Sequence, residues 1–479
     1  MNNDNNTFVK NSLYSVIYRV LSVAFPLIMS MYASHIIKAS GIGAVASAQN
    51  IAQYFTLIAA LGIPEYGVRE VAKLKDKDKE TNLLFSELLS LNAISTICCA
   101  LAYYIMGALC DWFGNRGLYL IAGILVVFNL FNIDWIYQGK ENFKYITIRS
   151  FLVKIIALLL LIISVRHEGD YLNYLFVNII SVVGNYILNI TNLRKIGVRF
   201  IFRDINIVKH LKPVLILLST TVAIELYTLL DTTMLTIFCM KENVGYYTMA
   251  LKIPRMIITA VTGISGALLP RLSWYYSKGE LDKCNEMINM VLSILSFIFL
   301  PCGIGLIIVA PDLVDVFFGK SFLPGVKTFQ LSALLIYALG FSNLFGTQTL
   351  LTVGCEKKLL LSTIYGAVSN IFLNLILIPE LQQNGATIAS VVSEMIVTIV
   401  TFNFSKKYFE FRIIKKSVVP ELIACTLMAI ICFIVSKIIN IRIISLIVTV
   451  LTGIIVYISI NMILKNPIIP LTKELIHRK

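Results

Sequence analysis

Runs of about 20 apolar residues alternate with short polar or basic stretches along almost the whole chain. Twenty residues of helix, at about 1.5 Å per residue, cover the roughly 30 Å hydrocarbon core of a bilayer. Each run therefore predicts a transmembrane helix. Fourteen are expected, at 13–37, 41–63, 82–108, 117–137, 145–164, 171–192, 213–238, 244–270, 286–309, 326–351, 359–379, 383–405, 418–436 and 443–464. No segment shows the ten-residue alternation of a membrane strand, so an all-α polytopic membrane protein is expected rather than a barrel. The first run is longer than a signal-peptide core and lacks a basic flank, so it should remain as helix one.

The polar positions inside the runs carry the functional signal. Between Pro213 and Arg271, two apolar segments joined by a short turn (239–245) contain Glu225, Asp231, Lys252 and Arg255. An ionised side chain at the centre of a spanning helix costs about 2.5–3.5 kcal/mol on insertion scales, so such groups face a partner or a water-filled space. Thr221, Glu225, Thr228 and Thr232 follow helical spacing, with Asp231 at the edge of that face. Thr248, Lys252, Arg255, Thr259 and Thr262 do the same on the next helix. Two stripes of opposite charge would line one hydrated cavity; structural ion pairs between helices are the alternative.

Other polar positions are weaker signals. Arg19 and Lys154 lie near helix ends and either snorkel to the headgroups or face the cavity. Glu87 and Glu394 each take up a proton or cation, or pair with a neighbouring Lys or Arg. Gln49, Gln53 and Thr56 share one face of 41–63 with Asn50 beside it, and 64–80 reads as a solvated cytoplasmic loop of interleaved charges. Aligning Gly43 with Gly245, 202 residues on, also matches Ala48 with Ala250, Ile51 with Ile253 and Arg69 with Arg271. The echo suggests two parallel repeats, with Asn50 and Gln53 where the second has Lys252 and Arg255. The basic stretch 193–212 then reads as a linker, dividing the chain into lobes at 1–212 and 213–405, with an added pair of nearly uncharged helices in 406–479.

Composition agrees with the pattern: of 479 residues 57% are hydrophobic and 14% charged, and the mean hydropathy is +0.81. The net charge of +14 falls mainly in alternate loops. With Arg19, Lys154, Lys252 and Arg255 counted as intramembrane, this is the positive-inside bias; it places both termini in the cytoplasm and needs no nucleic-acid partner. Nine scattered cysteines show no CxxC pair, so neither disulfides nor a metal site is expected. Trp112, Trp135, Trp274, Tyr275 and Tyr276 are read as interfacial anchors. No nucleotide-binding loop or nucleophile motif is present, which leaves transport without a cofactor, driven by an ion gradient or the membrane potential.

Several stretches of mixed composition then resemble one family. "DWIYQGKENFKYITIRS" (134–150), "DTTMLTIFCMKENVGYYTMALKI" (231–253), "GCEKKLLLSTIYGAVSNIFLNLILIPE" (354–380) and "GATIASVVSE" (385–394) are similar to the Wzx-type polysaccharide flippases. These belong to the MOP superfamily with the MATE exporters and MurJ-type lipid II flippases. The resemblance implies a V-shaped arrangement of two six-helix lobes about a central cavity, plus two C-terminal helices. It also implies transfer of undecaprenyl-pyrophosphate-linked oligosaccharide repeat units to the outer face of the bacterial cytoplasmic membrane, for O-antigen or capsule. Lys252 and Arg255, with Arg19 and Lys154, become candidates for binding the pyrophosphate. Asp231, Glu225, Glu394 and Glu87 become candidates for coupling or charge balance, and Asn50, Gln53, Thr228, Thr248 and Thr259 for meeting the sugar. A polysaccharide polymerase and chain-length proteins are the implied partners. A lipid II flippase shares the cationic logic; a MATE-like exporter of cationic drugs predicts an acidic cavity; a polymerase or glycosyltransferase predicts a large outer loop.

Overall fold

The structure is a computed structural model that describes residues 2–74, 77–109, 115–202, 204–265, 269–412 and 415–470. All regular elements among the described residues are helical: α1 (Asn2–Ala60), α2 (Ile63–Lys73), α3 (Asp78–Leu109), α4 (Arg116–Ala122), α5 (Ile124–Phe128), α6 (Asp134–Gly139), α7 (Phe143–Ser164), α8 (Tyr171–Asn192), α9 (Val208–Phe238), α10 (Lys241–Ser265), α11 (Leu269–Ser277), α12 (Leu281–Phe318), α13 (Val326–Ser332), α14 (Leu335–Ser342), α15 (Glu356–Ser405), α16 (Lys415–Ile438) and α17 (Arg442–Ile463), with short 3-10 and π segments between some of them. Ten helical stretches among the described residues are long and apolar enough to cross a membrane. Two of the longest helices are bent pairs: α1 breaks at Lys38 (φ 58°) and α15 at Gln382 (φ 49°). Both breaks fall where the hydrophobic pattern separates 13–37 from 41–63 and 359–379 from 383–405.

The bilayer decides what lies outside. Ile97, Leu101 and Ile105 of α3, Leu159 and Ile163 of α7, and Ile447, Leu451 and Ile455 of α17 are large, apolar and exposed, a surface that only a hydrocarbon solvent tolerates. The protein is thus a multi-pass integral membrane protein. Between helices some of the buried contacts are small and polar, including Ser30, Ser34, Ser47, Thr387 and Ser393. Small side chains let helix backbones approach where lipid offers no hydrophobic drive for association.

Three expectations are corrected. Residues 63–73, inside the stretch expected as a solvated loop, form the amphipathic helix α2. It starts after Gly62, whose φ of 74° suits glycine, and buries Ile63, Tyr66, Gly67 and Val71. Against Gly67 sits the indole of Trp135, which is 2% exposed and so belongs to the core rather than an interface. The span expected as unbroken helix over 117–137 is instead the broken series α4, α5 and α6. Donors on α3 make that possible: Tyr103 donates to the Tyr119 carbonyl (2.6 Å), Tyr104 to that of Leu120 (3.3 Å), and Asn92 to that of Asn129 (3.3 Å). Backbone that leaves the helical pattern at membrane depth must find such partners. Trp274 is exposed and Lys278 lies 3.9 Å from its ring centre, while Trp112 lies outside the described residues.

The chain divides into compact units 1–245 and 246–479, the boundary falling inside α10. Within the first unit α9 packs on α1, and the turn before α10 is shorter than expected, only Cys239 and Met240, because Lys241 and Glu242 already belong to the helix. Here the first turn of α10 crosses α1 backbone to backbone. A Cβ on Gly43 would lie 1.7 Å from the Lys241 carbonyl oxygen, and one on Gly245 would lie 2.3 Å from that of Ala39. Main chain cannot rotate away as a side chain can. Gly43→Ala should therefore destabilise the purified protein by about 3 kcal/mol or more in thermal unfolding, at or beyond the upper end of overpacking. Gly169→Ala, with no atom within 4 Å of the added carbon, should melt as the wild type does.

In the second unit, α16 and α17 form a hairpin on α12. Asp312 of α12 accepts from Arg442 Nη1 (2.6 Å) and Ser445 Oγ (2.5 Å) of α17 at one end. Further along, the Tyr457 hydroxyl donates to the Phe297 carbonyl (2.9 Å).

Candidate functional site

The polar residues singled out in the first unit are held by named contacts. Asn50 is 6% exposed, and its amide donates to the Leu229 carbonyl (3.2 Å) and to Thr233 Oγ1 (2.8 Å), so it joins α1 to α9. Tyr54 and Ser47 extend the seam to Thr233 (3.0 Å) and Thr236 (2.8 Å). Gln53, one turn on, is exposed. Asp231 is buried beside this seam, while Glu225 and Thr228 are half-buried, Thr228 Oγ1 donating to the Glu225 carbonyl at 2.8 Å.

Lys154 is buried, not snorkelling: its ammonium donates to the Leu21 carbonyl at 2.8 Å and lies 5.9 Å from the ring centre of Phe25. The Arg19 side chain lies outside the described residues. Glu87 is 1% exposed and paired: Lys209 Nζ is 2.8 Å and His210 Nε2 2.9 Å from its oxygens, and the Asn206 N–H donates at 3.0 Å. His210 also meets the Tyr66 hydroxyl at 2.9 Å, so this acid ties the basic linker to α3 and α2.

In the second unit, α10 has two unlike sides. Tyr247, Ala250, Leu251 and Ile253 are buried, and Tyr247 meets Ser390 of α15 at 3.0 Å while the Ala250 carbonyl accepts from Ser332 at 3.0 Å. Thr248, Lys252 and Thr259 are half-buried and Arg255 is exposed. No carboxylate among the described residues lies within ion-pair distance of Arg255, and its carbonyl accepts from Thr259 at 2.7 Å. Glu394, on α15 one turn from Ser390, is 5% exposed.

Along another face of α10, Ile253 and Ile257 line an apolar groove of about 440 Å³, closed by α12, α16 and α17 through Pro301, Val309, Met428 and Gly453. One helix thus carries both a cationic face and the wall of a hydrocarbon slot. That pairing suits an amphiphile with an anionic head.

A family model described as polysaccharide biosynthesis protein matches residues 8–275. The chain belongs to that family. Among its relatives is a protein of Shigella dysenteriae described as an O-antigen transporter, 24% identical over 399 residues that cover 81% of this chain and 98% of the relative. A glycan biosynthesis flippase of Haloferax volcanii is 22% identical over 195 residues, 39% of each chain. Of solved structures, an inward closed conformation of the lipid II flippase MurJ superposes with a TM-score of 0.74 at 15% identity, covering 96% of this chain and all of that one. An inward-facing MATE transporter of the MOP superfamily superposes with a TM-score of 0.59 at 18% identity, covering 83% and 94%. At these identities the likeness concerns the fold alone, which this chain shares with MurJ and the MATE transporter.

In this family member one well-connected buried polar group was not singled out from the sequence. Arg149 of α7 is 3% exposed and Nη1 donates to Asp134 Oδ1 at 2.8 Å. The same nitrogen binds Asn189 Oδ1, and the Asn189 amide returns a bond to Asp134 Oδ1. The Tyr137 hydroxyl closes the set on the Asn189 carbonyl (2.6 Å). A signal existed, because Asp134 and Arg149 open and nearly close the motif 134–150. Arg149 passed as a flanking charge because it lies only one turn inside the expected span.

Proposed function

We propose that this protein is a polysaccharide flippase that carries undecaprenyl-pyrophosphate-linked oligosaccharide repeat units from the inner to the outer leaflet of the bacterial cytoplasmic membrane, for O-antigen or capsule assembly. The observation that carries the reading is α10, with Lys252 and Arg255 on one face and the apolar groove beside Ile253 and Ile257 on another. A pyrophosphate is a dense anion suited to an ammonium and a guanidinium fork. A polyprenol needs an apolar wall. The descriptions of the relatives as an O-antigen transporter and a glycan flippase support the same class of cargo.

Translocation proceeds by alternating access through fourteen membrane crossings with both termini inside, and it draws on an ion gradient or the membrane potential. Buried Asp231 and Glu394 are the acids to which coupling is assigned, and Glu87 serves charge balance for the linker. Half-buried Glu225 balances the cationic charge, and half-buried Thr228, Thr248 and Thr259, with exposed Gln53, are left to meet the sugars.

The test is deletion of the gene followed by leaflet-resolved analysis of lipid-linked sugars. An oligosaccharide-pyrophosphate-polyprenol should accumulate on the inner leaflet, and the intact gene should clear it. Accumulation of lipid II instead would reassign the cargo to the peptidoglycan precursor.

A further inference from the structure

At the end of the groove opposite Asp312, the nearly uncharged C-terminal helices hide one acid. Glu421 of α16 is 0% exposed. Ser296 Oγ of α12 lies 2.9 Å from its Oε2, and Ser417 Oγ lies 2.7 Å from its Oε1. Ser417 Oγ also lies 3.2 Å from Asn466 Oδ1, beyond α17. Every named partner is neutral. The side chains near it that could carry charge are Cys425 on its own helix and Tyr457 on α17. Nearby cations are turned elsewhere: Arg412 pairs with Glu410 at 2.8 Å and Lys465 is exposed, while the side chains of Lys415 and Lys416 lie outside the described residues. No Lys, Arg or His among the described residues lies within 4 Å of the carboxyl.

Proton counting decides between the two forms. The Ser417 hydroxyl has one hydrogen and two oxygens facing it. If Glu421 is ionised, Ser417 donates to it and then confronts Asn466 Oδ1 acceptor to acceptor. If Glu421 is protonated, its O–H donates to Ser417, which donates on to Asn466, and both contacts become hydrogen bonds. Ser296 Oγ also lies 2.9 Å from the Ser293 carbonyl, so in either case its one hydrogen is shared between that carbonyl and Oε2. An ionised carboxylate here would also be a buried charge with no ion-pair partner among the described residues, a costly polar state in a bilayer.

We propose that Glu421 is a proton-binding site: neutral while α12, α16 and α17 pack as observed, and ionised, with release of the proton to water, only when they part. Together with the Asp312, Arg442 and Ser445 cluster it brackets the groove, so its protonation sets whether that end of the groove is closed.

The test uses the full-length protein in lipid nanodiscs and no transport assay. Infrared titration should show, in wild type minus Glu421→Gln, one protonated-carboxyl C=O band that persists at neutral pH. A folded Glu421→Gln with no band lost at neutral pH would overturn the proposal. If that variant does not accumulate, Ser417→Ala serves: loss of the hydroxyl that accepts the proton must shift the band, and an unshifted spectrum overturns the site. Opening is read at Cys425, buried one turn away. At alkaline pH its maleimide labelling should be severalfold greater in wild type than in Glu421→Gln at the same pH; equal labelling overturns the link between ionisation and opening.

Discussion

Replacing Lys252 and Arg255 together by glutamine should stop delivery of the lipid-linked glycan while the protein still inserts and folds. Each charge-assisted hydrogen bond to a pyrophosphate is worth about 1.5–3 kcal/mol. Losing two removes roughly 3–6 kcal/mol, a hundredfold or more in binding. The structure separates this loss from misfolding. Arg255 is exposed and has no ion-pair partner among the described residues, so Arg255→Gln alone should leave the melting temperature unchanged. Arg255→Lys should keep part of the activity, since charge survives but the bidentate fork does not. The measurement is leaflet-resolved labelling of the glycan in membranes containing equal amounts of each variant. Normal delivery by the double variant would sink the head-group assignment.

Arg149→Met should cost about 3–5 kcal/mol, because it leaves the Asp134 carboxylate among buried groups without its cation. Thermal unfolding of purified protein reads this as a large downward shift. Asp134→Asn should also destabilise by stranding the guanidinium, and the double variant Arg149→Met with Asp134→Asn should recover much of the sum, the mark of direct coupling in a double-mutant cycle. If Arg149→Met melts like the wild type, the triad with Asn189 is not holding α6, α7 and α8 together.

The contrast between these two sites shows what the sequence could disclose. Helical spacing alone puts Lys252, Arg255 and Thr259 on one side of α10, and all three escape full burial. A charge in the middle of an apolar run is conspicuous wherever its partner lies. Arg149 and Glu421 were less conspicuous because they sit near the ends of their spans, where charge is ordinary. The broken stretch from α4 to α6 was unreadable for another reason: its carbonyls are satisfied by Asn92, Tyr103 and Tyr104 of α3, and donors on another helix leave no local trace. In the same way, the interleaved charges of α2 hid the apolar face that packs against Trp135. Lys209 and His210 looked like a solvated linker until Glu87 was found between them.

The crossing of α1 and α10 at Gly43 and Gly245 bears on how such a chain can diverge. A junction made by main-chain atoms tests only the bulk of two residues and is blind to the chemistry around them. Exposed Gln53 and Arg255 can therefore change in character while the two glycines at the crossing stay as they are. Mutational scanning for folding should find these two glycines intolerant and exposed Gln53 permissive, a scaffold free to acquire new cargo preferences without redrawing this crossing.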